Sequence, residues 1–82
     1  MTAKIDADLQ RELDSGASEI HAILHVDTVE GVRGRLPKGL RVRREFRLVP
    51  GFAVTGSSSD LVAASEVEGV RALEADRDVH TQ

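Results

Sequence analysis

Glu74 and Asp76 stand two residues apart near the end of the chain, within Val70-Arg71-Ala72-Leu73-Glu74-Ala75-Asp76. In an extended strand that spacing puts both carboxylates on one face. The strand reads as an apolar edge strand that runs directly into the short polar terminus Arg77-Asp78-Val79-His80-Thr81-Gln82. Such an arrangement suits docking onto another protein and inserting a free tail into a groove. It suits catalysis poorly. The plainer reading is that two acids keep a sheet edge soluble and that the tail is a frayed end.

Other residues invite chemical readings that the spacing does not carry. His21 and His25 are four apart, a metal-pair spacing on a helix. On the strand this segment predicts they sit ~13 Å apart, too far to share one ion. A solvated or interface role for His21, Ile23 and His25 fits better, and no metal site is expected. Ser57, Ser58 and Ser59 lie outside any Gly-x-Ser-x-Gly elbow and read as loop and helix-cap residues. Gly31-Val32-Arg33-Gly34 has the form of the Gly-x-x-Gly clamp of KH RNA-binding domains. Its flanking helices are wrong for that fold, and the aromatic groups that stack on bases are nearly absent, with only Phe46 and Phe52 in the chain.

Elements to hold these residues follow from periodicity. Ile5, Leu9 and Leu13 recur every four residues and predict a helix over 5–14, stopped by Gly16. Residues 19–27 predict a strand, with Ile20, Ala22, Leu24 and Val26 on one face and His21, Ile23 and His25 on the other. Thr28 is placed to cap a short helix through about Leu36, lined by Val29, Val32 and Leu36 and ended by Pro37-Lys38-Gly39. Residues 40–49 alternate, with Leu40, Val42, Phe46 and Leu48 facing one way and Arg41, Arg43, Glu45 and Arg47 the other. Arg44 breaks that pattern and suggests a bulge or a frayed strand start. Pro50-Gly51 turns the chain, and Phe52 to Thr55 returns as a hairpin partner. A helix lined by Leu61, Ala64 and Val67 follows, with Asp60 at its start, and Gly69 ends it. The last strand runs from Val70 to about Asp76.

After the first helix the order is β-α-β-β-α-β. The expected fold is α+β and ferredoxin-like, an antiparallel sheet with two helices on one face, plus the short N-terminal helix. The 82 residues are expected to form one domain with one modest core. There is no Cys, so neither disulfides nor thiolate metal sites can staple the fold, and with no Trp or Tyr and only two Phe the core is expected to be filled mainly by small aliphatic residues. An active site of its own is not expected in so small a core, and no cofactor is implied. No apolar run reaches the ~20 residues of a membrane span, and the N-terminus lacks a secretory signal. The chain reads as cytoplasmic or released from a precursor, with Met1 favouring a stand-alone product.

The net charge of −3 conceals a segregated pattern. Residues 33–47 hold seven basic groups, Arg33, Arg35, Lys38, Arg41, Arg43, Arg44 and Arg47, against Glu45 alone. The flanking segments are acidic. An Arg-rich patch on an acidic protein offers a second reading, an interaction module that binds nucleic acid or an acidic protein.

Glu45-Phe46-Arg47-Leu48-Val49-Pro50-Gly51-Phe52-Ala53-Val54-Thr55 resembles the β-hairpin of subtilisin-type propeptides. In that family an apolar strand, a turn ending in Asn-Gly or similar, and a Phe-Ala-Ala-like strand follow in this order. The helix with Leu61 and Ala64, followed by Gly69-Val70-Arg71-Ala72-Leu73-Glu74-Ala75-Asp76, resembles the family's closing helix and Val-x-x-Val-Glu-x-Asp strand. The opening, Lys4-Ile5-Asp6-Ala7-Asp8-Leu9-Gln10-Arg11-Glu12-Leu13 leading into Ile20-His21-Ala22-Ile23-Leu24-His25-Val26, is similar to that of many bacterial subtilase prodomains. The resemblance covers most of residues 4–82, is strongest over 45–76, and rests on order and spacing.

The resemblance implies a function. Such a domain binds and inhibits a subtilisin-like serine protease, and it can act as an intramolecular folding chaperone for one. It lays the open face of its sheet, here with His21, Ile23 and His25, on two surface helices of the enzyme. Glu74 and Asp76 match the acidic positions that cap those helices' N-termini. The tail, residues 77–82, enters the substrate groove as an added strand. By the same match Val79 fills the fourth pocket from the scissile bond, Thr81 the second and Gln82 the first, with His80 between them.

Overall fold

The computed structural model describes residues 3–76. Along the chain run β1 (Lys4–Ile5), α1 (Ala7–Asp14), β2 (Ile20–Val26), α2 (Val29–Arg33), β3 (Arg41–Phe46), β4 (Gly51–Gly56), α3 (Ser58–Ser65) and β5 (Val70–Ala75). The result is an α+β domain built on one five-stranded mixed sheet, in the order β1-β5-β2-β4-β3.

Alternation along β2 determines the layering. Ile20, Ala22, Leu24 and Val26 are buried and the residues between them half-buried. Antiparallel pairing sets Leu24 opposite both Phe52 of β4 and Leu73 of β5, and Ala22 opposite Val54. Partners in register share a face. These residues therefore form one apolar surface, and Leu9 and Leu13 of α1, Val32 of α2, and Leu61 and Ala64 of α3 all pack into the same cluster. All three helices thus cover one face of the sheet and leave the other open.

Local signals explain the helix ends. Thr28 Oγ1 accepts a hydrogen bond from the Gly31 backbone N–H at 3.1 Å, as the capping reading required. Ser57 caps α3 in a reciprocal box, its side chain accepting from the Asp60 N–H while the Asp60 carboxylate accepts from the Ser57 N–H. Gly16 and Gly69 adopt φ of 72° and 98°, the left-handed region that ends a helix or turn without a Cβ clash.

Four expectations need correction. The first helix begins at Ala7, because Lys4–Ile5 instead form a strand parallel to β5 at Ala72 and Leu73. Ile5 still contacts the core, but from the sheet. The sheet is consequently mixed rather than antiparallel. For the same reason β5 is not an edge strand along Ala72 and Leu73, where β1 covers its outer side.

The remaining correction concerns β3. The pairing runs Val42↔Val54 and then Arg44↔Ala53, so Arg43 is the extra residue of a bulge. A bulge was expected near Arg44, but its effect on the faces was not. One inserted residue exchanges the faces beyond it. Glu45 now lies opposite Phe52, towards the helices, and Phe46 lies opposite Gly51, on the open face. The strand ends at Phe46, and Leu48 is fully exposed in the hairpin turn rather than facing the core.

Candidate protein-docking face

The open face is assembled by register. His21 lies opposite Thr55, Ile23 opposite Ala53 and Glu74, and His25 opposite Gly51 and Ala72. On the outer side β3 adds Arg41, Arg44 and Phe46. Asp76 continues β5, its backbone N–H donating to the His21 carbonyl at 3.1 Å. The strands thus bring His21, Ile23, His25, Glu74 and Asp76 to one face, as alternation required. Small residues at Gly51, Ala53 and Ala72 keep the middle of that face low.

The two carboxylates differ in setting. Glu74 Oε2 lies 2.6 Å from His25 Nε2, and the two side chains are 48% and 37% exposed. A hydrogen-bonded pair so open to water contributes about 0–1 kcal/mol and gives way readily to another partner. Asp76 is only 6% exposed and accepts a hydrogen bond from Arg43 Nη2 at 2.6 Å. A carboxylate that deep is tolerated only when it is paired. Arg43 reaches it across the open face, where Ile23, Ala53, Arg44 and Phe46 line a cavity of about 130 Å³ with the pair. His21 Nδ1 and Thr55 Oγ1 lie 3.2 Å apart.

On the helix side Arg33 grips Glu45 with two hydrogen bonds, Nε to Oε2 at 2.9 Å and Nη2 to Oε1 at 2.8 Å. The hydrogen bond from Arg33 holds the Glu45 carboxyl below the usual carboxylate range, and the same bond pushes the guanidinium higher still. This fork ties α2 to β3.

Several sequence readings now have locations. Gly31, Val32 and Arg33 belong to α2 and Gly34 caps it, with Val32 buried, so the segment is helical rather than a backbone clamp. Among the described residues no group of three or more His, Cys, Asp or Glu is placed to hold a metal ion. No helix among them is long and apolar enough to cross a membrane. The tail residues Val79, His80, Thr81 and Gln82 lie outside the described residues. Sequence reasoning missed the role of Arg43. The break in alternation at Arg44 signalled the irregularity, but only the tertiary pairing shows which carboxylate the displaced arginine meets. Compared with protein-family models, curated proteins and solved structures, the chain matches none.

Proposed function

We propose that this chain binds and inhibits a subtilisin-like serine protease, laying the open sheet face on the enzyme and presenting residues 77–82 to its substrate groove. The observation that carries the reading is the pairing of an open face with an exposed acid. Glu74 sits on the only sheet face the helices leave free among the described residues, two residues before the chain leaves β5 towards its terminus. An accessible carboxylate there can exchange His25 for the orphan N–H groups of a partner helix, where the dipole favours it. Ile23, Ala72 and Phe46 supply apolar area beside it. In the same reading Val79 occupies an apolar pocket, and the terminal carboxylate of Gln82 rests near the oxyanion donors as a retained product would.

The proposal extends to the fold. Without β1, the strand order β5-β2-β4-β3 and its antiparallel registers support a ferredoxin-like unit, to which β1 and α1 are an N-terminal addition. A domain that templates the enzyme's surface in this way also suits a folding chaperone.

Arg41 and Arg44 on the outer strand support a second reading, capture of an acidic protein or nucleic acid. One titration separates the two. The activity of a generic subtilisin is measured against the whole chain and against a version lacking residues 79–82. Tight inhibition by the whole chain alone is expected. Equal failure of both removes the protease reading, and partner binding that persists without the tail but collapses with salt establishes the second.

A further inference from the structure

We infer that Arg43 is a positioning residue for the docking face and that Asp76 is its anchor rather than a contact to the partner; this rests on the protease reading. Alternation makes Glu74 and Asp76 look equivalent, two acids on one face. Their surroundings in the fold separate them.

Arg43 is the extra residue of the β3 bulge, released from the ladder between Val42↔Val54 and Arg44↔Ala53. Bulges re-aim a side chain out of the regular pleat. Here the guanidinium meets the carboxylate of Asp76, beyond two intervening strands whose Ala53 and Ile23 line one cavity with the pair. The small side chain of Ala53 leaves room for that crossing. The pair joins the outer strand of the sheet to the last described residue of the chain.

The consequence is a division of labour. A helix N-terminus on a partner needs a carboxylate it can reach. Glu74 is such a group at 48% exposure, and Asp76 at 6% is not. Withdrawing Asp76 from Arg43 to meet a partner would leave a guanidinium unpaired on the docking face. Held in place, Asp76 fixes with its side chain the strand end that its N–H already fixes through the His21 carbonyl. The orientation of the strand end at Asp76 is then set before the partner arrives, which lowers the ordering cost of binding.

The test uses the full chain with R43Q, D76N, the double variant and E74Q, read by inhibition of a generic subtilisin and by amide exchange. R43Q and D76N are each expected to weaken inhibition about tenfold, the double variant no more than the larger single loss. R43Q is also expected to speed exchange of the Asp76 N–H about tenfold while the Leu24 N–H is unchanged. E74Q should weaken inhibition without altering exchange at Asp76. A D76N loss that R43Q does not share would overturn the inference, because Asp76 would then be meeting the enzyme directly. Unchanged exchange at Asp76 in R43Q would overturn the anchor. If the parent chain fails to inhibit while R43Q still speeds that exchange, the anchor stands and the protease reading is the one lost.

Discussion

Arg33 of α2 and Arg43 within β3 each hold a carboxylate, under different conditions. The Arg33–Glu45 fork lies at the surface, so its worth depends on pH and salt. Glu45 titrates lower when folded than when unfolded. Its contribution is therefore fully present above the ordinary value of 4.5 and is lost as pH falls through the lowered folded value. E45Q should accordingly start from a slightly lower Tm than the parent at neutral pH and fall less on acidification, so that the two converge in thermal melts stepped into the acid range. Buried side chains respond more strongly. Phe52 is fully buried at the centre of the apolar face, opposite Leu24. Phe52→Ala should cost about 3–5 kcal/mol in urea unfolding, much of what a domain this small is expected to have.

Among the elements, the short ones decide the most. β1 contributes only Lys4 and Ile5, yet it covers part of the outer side of β5 and turns an antiparallel sheet into a mixed one. The hairpin β3–β4 depends on Gly51, because a methyl group there would collide with the backbone carbonyl of Leu24 on the neighbouring strand. Gly51→Ala should destabilise by about 1–3 kcal/mol as that contact forces the strands apart. The box at the start of α3 is independent of the sheet register. Ser57→Ala should lose about 1 kcal/mol, seen as a shifted urea midpoint with an unchanged slope. N-capping residues and the alternation of β2 are local properties, so the sequence located them, whereas α2 stops at Arg33 and α3 at Ser65, short of the expected ends at Pro37-Lys38-Gly39 and Gly69. The bulge was legible as a break in pattern, but a one-residue insertion reverses every later side chain, and the placement of Glu45 and Phe46 reversed with it.

The molecule as a whole has two unlike sides. Its helices bury one face of the sheet, and the other carries the half-buried Ile23 and His25 beside the exposed Glu74. Docking through that side predicts a simple contrast. Ile23→Gln should weaken protease inhibition by about tenfold or more, whereas Val62→Gln, on the exposed side of α3, should leave it unchanged. Equal effects in a titration against subtilisin would locate the interface elsewhere.

From β2 onwards the order of helices and strands, the helix N-caps and, β3 beyond its bulge apart, the apolar side of each element followed from the chain alone, because those properties depend on neighbours within a few residues. The face shared by His21, Ile23, His25, Glu74 and Asp76 followed too, once alternation and strand order were combined. Tertiary pairing decided the rest. Lys4–Ile5 became a strand because Ala72 and Leu73, far along the chain, offered an unpaired edge. Asp76 became a held carboxylate because the bulge at residue 43 aimed an arginine across the sheet. Both outcomes depend on backbone groups and charges brought together from distant parts of the sequence, and local periodicity carries no information about such meetings.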